Sequence, residues 1–422
     1  LKEYTQSLGE GIEFVSIVEP KFKTTNISAV LLLPCQPEKF AEWALIPNLL
    51  LNSCEKYPTI AQMSEKLQEL YGAYLDNSIS LIADTWQMRL LVNVIGDDYA
   101  LEGEKLRQEA ASLLLECILH PNLEHEKNAF AESAFRTEQQ ELLDVIQNEI
   151  NNKRSYAVKQ ARKTIFQNEP NACPLYGTTE EVMALKSENV YQAYQEILKR
   201  AQILIYYVGS EEAPELPELF RNAFAERKAP EISVQNPSPC KAEPVTVSDS
   251  MNIGQCQLIM AFKADQVQQE AARMCSLMFG GAPFSLLFSN VREKMSLCYY
   301  CSSNIVYGKN TMIVTSGVAQ ENLEKARDEI LNQLEIMQKG QFEDSLLTDA
   351  RRYLINALRL TGDTPSSCAS EAFERFLRSD HAGVEERIRL YENLTKQDII
   401  DTAKSFKLDT VYMLTQKGAE QA

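Results

Sequence analysis

Apolar positions recur along this chain with two periods, and the same succession of patterns occurs twice. NISAVLLLP, from Asn26, is an apolar run of strand length followed by a helical pattern, and QCQLIMAF, from Gln255, has the same form in the second half. Further on, Trp86, Met88, Leu90, Val92 and Val94 fall at period two, as do Met312, Val314, Ser316 and Val318, so each run predicts a strand with one face on a core. The surrounding segments match as well. YGAYLDNSISLIADTWQMRLLVNVIGDDYALEGEKLRQEAASLLLE and LCYYCSSNIVYGKNTMIVTSGVAQENLEKARDEILNQLE both read as aromatic strand, hairpin, alternating strand, turn and amphipathic helix. A third pair, LKSENVYQAYQEILKRAQILIYYVGS and LTKQDIIDTAKSFKLDTVYMLTQKG, runs from a helix into an apolar strand. Three matches in one order predict a duplicated domain, not a solenoid of short repeats.

Between the halves, EEAPELPELFRNAFAERKAPEISVQNPSPCKAEPVTVSDS holds six of the chain's 16 prolines and one short amphipathic helix around Leu219 to Ala225. The predicted organisation is an N-terminal domain over 1–215, a Pro-rich linker over 216–245 and a C-terminal domain over 246–422. Antiparallel hairpins combined with several helices predict an α+β fold, each domain a mainly antiparallel sheet with helices packed on one face and the other face free.

Length and composition fit this picture: 422 residues suit two domains of roughly 200 each, and 45% hydrophobic with 24% charged residues is the balance of a globular protein. Apolar runs such as AVLLL fall short of the ~20 residues that span a bilayer. The opening LKEYTQSLGEGIEF has no basic stretch before an apolar one, so no secretory signal is read there. Ten scattered cysteines are expected as free thiols in a reducing cytoplasm. A net charge of -17 argues against nucleic acid and anionic membrane as partners.

Candidate chemistry is sparse. Of three histidines, His120 and His125 lie in HPNLEH, five residues apart, and diverge by about 140° on a helix instead of gripping one metal as an i, i+4 pair does. Pro121 would stop such a helix in any case, so a loop is expected here, with a helix starting near Asn122. Cys298 and Cys301 make one C-x-x-C without a second pair. In a regular strand their side chains point to opposite faces, which favours core thiols over a zinc or redox site. Phosphate-binding, nucleophile-elbow and dinucleotide glycine motifs are absent from the sequence. Gly280 and Gly281 follow the helical EAARMCSLMF where a C-cap glycine belongs.

One string stands apart. FGGAPFSLLFSNVREKMSLCYY sets Arg292 seven residues ahead of Tyr299, and a guanidinium and a phenol are both donors suited to an oxygen that gains negative charge. The Gly-Gly turn, helix and R-E-K-x-x-L-x-Y run resemble the second domain of the pitrilysin or insulinase superfamily of zinc peptidases, which includes the mitochondrial processing peptidase. The resemblance covers nearly the whole chain and implies that Arg292 and Tyr299 bind the substrate backbone opposite a zinc ion, with Tyr300 one register off.

The first domain departs from that family. Where the resemblance calls for H-x-x-E-H, the chain reads AEWALIPNLLLNSCEK, with Pro47, Leu50 and Leu51 at the His, Glu and His positions and Val145 near the place of the third ligand. A mid-helix proline costs roughly 3 kcal/mol, so a helix starting at Pro47 is expected. The resemblance therefore implies no metal or catalytic residue in this chain. It implies instead a noncatalytic subunit of a heterodimeric zinc metalloendopeptidase, binding a peptide substrate while a homologous partner supplies zinc. The competing expectation is a structural or peptide-holding protein with no part in proteolysis. A self-sufficient peptidase is contradicted by the absence of any histidine before His120.

Overall fold

A computed structural model describes residues 1–417 except Glu226 and Ser379, and His125 by its backbone only. In chain order the strands are β1 (Lys2–Gly9), β2 (Ile12–Val18), β3 (Thr24–Pro34), β4 (Tyr74–Ile82), β5 (Thr85–Ile95), the two-residue β6 (Leu123–Glu124) and β7 (Ala129–Phe130), and β8 (Gln202–Gly209). The second half adds β9 (Val245–Met251), β10 (Cys256–Lys263), β11 (Cys298–Val306), β12 (Thr311–Val318) and β13 (Lys407–Gln416). The first helices are α1 (Phe40–Leu51), α2 (Ile60–Glu69), α3 (Leu106–Leu119), α4 (Glu132–Asn148), α5 (Lys153–Ile165), α6 (Thr179–Ala184), α7 (Ser187–Arg200) and α8 (Glu215–Ala223). They are followed by α9 (Gln269–Ser276), α10 (Leu323–Gln338), α11 (Asp344–Leu360), α12 (Pro365–Phe376), α13 (Val384–Asn393) and α14 (Lys396–Ser405). Capping boxes start α2 at Thr59, α6 at Thr178 and α14 at Thr395, each with a polar side chain three residues on that returns to the cap.

The chain forms two compact units. One holds the described residues of 1–147, 174–233 and 361–378, and the other those of 148–173, 234–360 and 380–417. In the first, the sheet order is β1-β2-β8-β3-β5-β4, antiparallel except for the parallel pair β2 and β8. In the second it is β11-β12-β10-β13-β9, antiparallel except for β13 and β9. Once β1 is set aside, the two orders correspond strand for strand and place the parallel pair at the same end. The duplication read from hydrophobic pattern is thus repeated in sheet topology, and the fold is α+β with mainly antiparallel sheets.

The period-two runs take their expected places: Trp86, Met88, Leu90, Val92 and Val94 are buried on one face of β5, and Met312, Val314 and Val318 join the second unit's main core. Each sheet also carries one helix on its second face, which the pattern had left free. In the second unit, Ala157, Ala161 and Ile165 of α5 pack on Ile259, Ala261, Ile313, Tyr412 and Leu414. In the first, α12 lies on β8 and β3, with Phe373 edge-on to Tyr206. The helix over the second sheet comes from the first half of the sequence, and the helix over the first sheet from the second half. That exchange is why neither unit is continuous.

Two helix starts differ from expectation. α1 begins at Phe40 and runs through Pro47, although proline cannot donate to the Trp43 carbonyl. Nine of its twelve residues are buried, and Trp43 meets Trp86 at 4.7 Å between ring centres. Burial on both sides of the proline outweighs the missing bond. α8 starts at Glu215 and includes Pro217 in its first turn, where an amide hydrogen has no helical acceptor to lose.

Candidate functional site

The segment carrying Arg292 is a wide helical stretch, Leu287–Lys294, fixed inward by Leu287 and Val291. Its end is tied by Leu297 N donating to the Val291 carbonyl at 3.0 Å and by Asn290 Nδ2 donating to Gln333 Oε1 at 2.7 Å. Ser296 turns the chain with φ of 53°, and β11 begins two residues later as the edge strand of the sheet. Arg292 is exposed, its guanidinium lying 4.5 Å from the Phe288 ring centre. Tyr299 is 69% exposed. Among the described residues neither side chain has a hydrogen-bond or ion-pair partner, so both keep their donors free at the start of one edge strand.

Tyr299 owes its exposure to a β-bulge. Cys298 pairs with Val318 and Tyr300 with Gly317, which leaves Tyr299 as the extra residue. The bulge changes the expectation for the C-x-x-C: Cys298 and Cys301 do not point to opposite faces but both enter the main core, where their thiols hydrogen-bond. That bond lowers the Cys298 thiol to about 7 against the opposing effect of burial, with help from the Ser316 hydroxyl and the Arg292 guanidinium. Arg292 therefore lies close to the first residue of β11. Tyr300 turns the other way. It is half-buried, donates to Gln257 Oε1 at 2.5 Å and lies under the Arg154 guanidinium at 4.2 Å.

Gly280 is not a C-cap. Helix α9 gives way at Leu277 to a wider turn ending at Gly281, and a Cβ on Gly280 would come within 2.8 Å of the Ser303 backbone nitrogen on β11. The glycine is needed for close approach, and Ser276 and Ser303 close the same contact with a hydroxyl to carbonyl bond of 2.7 Å.

In the first unit the positions aligned with a metal motif hold no donor. Pro47, Leu50 and Leu51 are buried in α1, and Val145 is exposed on α4. The residues present do not fit zinc, and among the described residues no three His, Cys, Asp or Glu side chains converge to hold a metal. His120 is the exposed residue after α3, and the chain continues through the β6–β7 hairpin to α4 at Glu132, not to a helix near Asn122. Asn122 instead ties that loop to the Pro58 carbonyl at 3.0 Å. The side chain of His125 lies outside the described residues.

An acid that sequence reasoning missed sits beside α1. Glu138 of α4 is 4% exposed and accepts from Asn52 Nδ2 at 2.6 Å, while Asn48 accepts from Asn77 Nδ2 at 2.9 Å. Burial raises the Glu138 carboxyl, against hydrogen bonding from Asn52 that lowers it, and its Oε2 has no hydrogen-bond partner among the described residues. Its signal was available: Phe135, Glu138, Gln139 and Leu142 form the buried stripe of α4, and an acid on such a stripe is unusual.

A duplicated α+β chain with two donors free among the described residues, one just before and one on the edge strand of one unit, and a closed apolar helix where metal ligands are expected is a peptidase-like protein without its own zinc motif. Residues 184–354 match the peptidase M16 inactive domain. Along most of its length the chain is similar to a Bacillus subtilis (strain 168) protein named probable inactive metalloprotease YmfF, with 26% identity over 407 residues and 95% of each chain covered. Its fold is similar to that of a conserved protein from Enterococcus faecalis V583, with a TM-score of 0.92, 24% identity and coverage of 99% of this chain and 100% of that one. A peptidase M16 inactive domain from Pseudomonas fluorescens has a TM-score of 0.82 at 14% identity, with 100% of both chains covered. The chain is therefore similar in its second half to the M16 inactive domain and in its whole fold to solved M16 chains, and it lacks H-x-x-E-H.

Proposed function

We propose that this chain is the noncatalytic, substrate-binding subunit of a two-chain zinc endopeptidase that processes peptides or precursor proteins, a homologous partner supplying the zinc. The observation that carries the reading is the pair of unpartnered donors, Arg292 and Tyr299, at the start of the edge strand β11. A peptide laid along a free sheet edge is held by main-chain hydrogen bonds. A fixed guanidinium and a phenol hydroxyl beside it can donate to a carbonyl oxygen as charge develops there. Ten free cysteines support a reducing cytoplasm as the setting. Among the described residues no helix is long and apolar enough to cross a membrane.

The test pairs the chain with a homologous chain carrying an intact H-x-x-E-H. Arg292→Ala or Tyr299→Phe is expected to slow peptide cleavage by the complex on the order of 100-fold, the scale for one lost oxyanion donor. The loss should fall on kcat more than on KM, with zinc content and assembly unchanged. Unaltered cleavage by an intact complex would overturn the proposal in favour of a structural or peptide-holding role.

A further inference from the structure

On the second face of the same sheet, a cleft of about 770 Å3 opens between the first turn of α5, the β9–β10 loop and Tyr300. Its lining includes two cations, Lys153 and Arg154, and no carboxylate, in a chain with 59 acidic and 42 basic residues. Arg154 is held in a set orientation: Nη2 donates to Ser302 Oγ at 3.2 Å and to Thr315 Oγ1 at 3.1 Å, and the guanidinium stacks over Tyr300. Gly317 makes room for that ring, because a Cβ there would fall 2.5 Å from Tyr300 Cε1. The Tyr300 hydroxyl is in turn anchored on Gln257.

Arg107, Arg136, Arg200, Arg221, Arg327 and Arg375 all pair with acids, whereas Arg154 has no acidic partner among the described residues. Among the described residues its Nε and Nη1 have no hydrogen-bond acceptor. Amide side chains, Asn152, Gln255 and Gln257 among them, line the rest of the cleft, and such groups suit the polar backbone of a peptide.

We propose that this cleft binds a carboxylate of a peptide, either its C-terminus or an acidic side chain, through the Arg154 fork stacked on Tyr300. The planar guanidinium matches a carboxylate bidentately. Stacking on the ring and the bonds to Ser302 and Thr315 fix the fork in advance, which reduces the ordering cost of binding. The positive end of α5 adds to the field at the same place. The inference rests on the peptide-binding reading above and adds a second anchor: successive residues of β11, Tyr299 and Tyr300, serve two separate contacts.

The experiment is calorimetric titration of the whole chain with three acetylated alanine-rich pentapeptides, one ending in a free carboxylate, one amidated, and one amidated with a central glutamate. At least one carboxylate peptide is expected to bind roughly tenfold or more tightly than the neutral amide, the scale of a charge-assisted hydrogen-bonded pair. Which of the two binds identifies the source of the carboxylate. Arg154→Ala should remove the preference, Arg154→Lys should keep only part of it, and Lys163→Gln, which removes a charge from the same helix outside the cleft, should leave it intact. Equal binding of all three peptides, no binding, or an undiminished preference in Arg154→Ala overturns the inference. None of these results bears on cleavage by the reconstituted two-chain complex, which tests the other reading separately.

Discussion

Arg292, Tyr299 and Glu138 illustrate three degrees of legibility at the residue scale. The first two were found by spacing and family resemblance, and the fold places both at the start of β11, one on the helical stretch before it and one on its bulge. Glu138 is not the aligned ligand position, which is Val145, about two turns further on and exposed near the end of α4. The buried carboxyl has a measurable signature. Its raised value means that the folded chain holds the proton at pH values where the unfolded chain releases it. Its contribution to stability is therefore full below the unfolded carboxyl range, near pH 4, and is lost as pH rises through the folded value. Glu138→Gln should accordingly gain stability relative to the parent chain as pH is raised from 4 to 8. Urea midpoints measured across that range check it, and a difference independent of pH would show that the carboxyl is not perturbed by burial.

At the scale of elements, α1 and β11 show where periodicity stops being informative. The proline rule put the start of α1 at Pro47, but a helix buried on most of its circumference tolerates the missing bond because flanking residues such as Phe40, Trp43, Ile46 and Leu50 are held by the core. The strain is still there to be relieved. Pro47→Ala should stabilise the chain by about 1 kcal/mol, less than the full ~3 kcal/mol of an interior proline because the buried ring atoms are lost. An increase in the denaturant midpoint without a change in slope is the expected reading, and a decrease would mean that the ring's packing outweighs the restored bond. In β11 the bulge was invisible because it depends on what lies opposite: Gly317 admits the Tyr300 ring, and the register then shifts by one residue. A two-residue period applied to CYYC cannot place both thiols on one face.

At the scale of the whole molecule, the exchange of α5 and α12 makes each unit depend on sequence from the other half. A chain cut within the linker region, into residues 1–228 and 229–422, leaves the second piece without α5. The face formed by Ile259, Ala261, Ile313, Tyr412 and Leu414 then loses its cover. Produced alone, the piece 229–422 is expected to bind a hydrophobic dye and to melt without a sharp transition, and supplying residues 148–173 as a fused segment should restore a cooperative one. A sharp, dye-free melt of 229–422 by itself would mean that the α5 face contributes little. The proposed boundaries at 215 and 245 describe the linker in sequence, whereas the compact units are assembled from three segments each.

The sequence by itself determined the duplication, the α+β class, the strands that face the core, and the two donors without a metal motif. The first three follow from local periodicity, which acts over a few residues, and the donors and the missing metal motif from the family resemblance of FGGAPFSLLFSNVREKMSLCYY and AEWALIPNLLLNSCEK. Only the tertiary structure decided that α1 continues through Pro47, that a bulge turns Tyr299 outward and joins Cys298 to Cys301, that Glu138 is buried, and that Arg154 is stacked on Tyr300. These depend on partners far apart in sequence: α1 against β5, β11 against Gly317, α5 across a sheet formed some 100 residues later. Burial and steric contact between such distant segments outweigh local preferences worth at most a few kcal/mol.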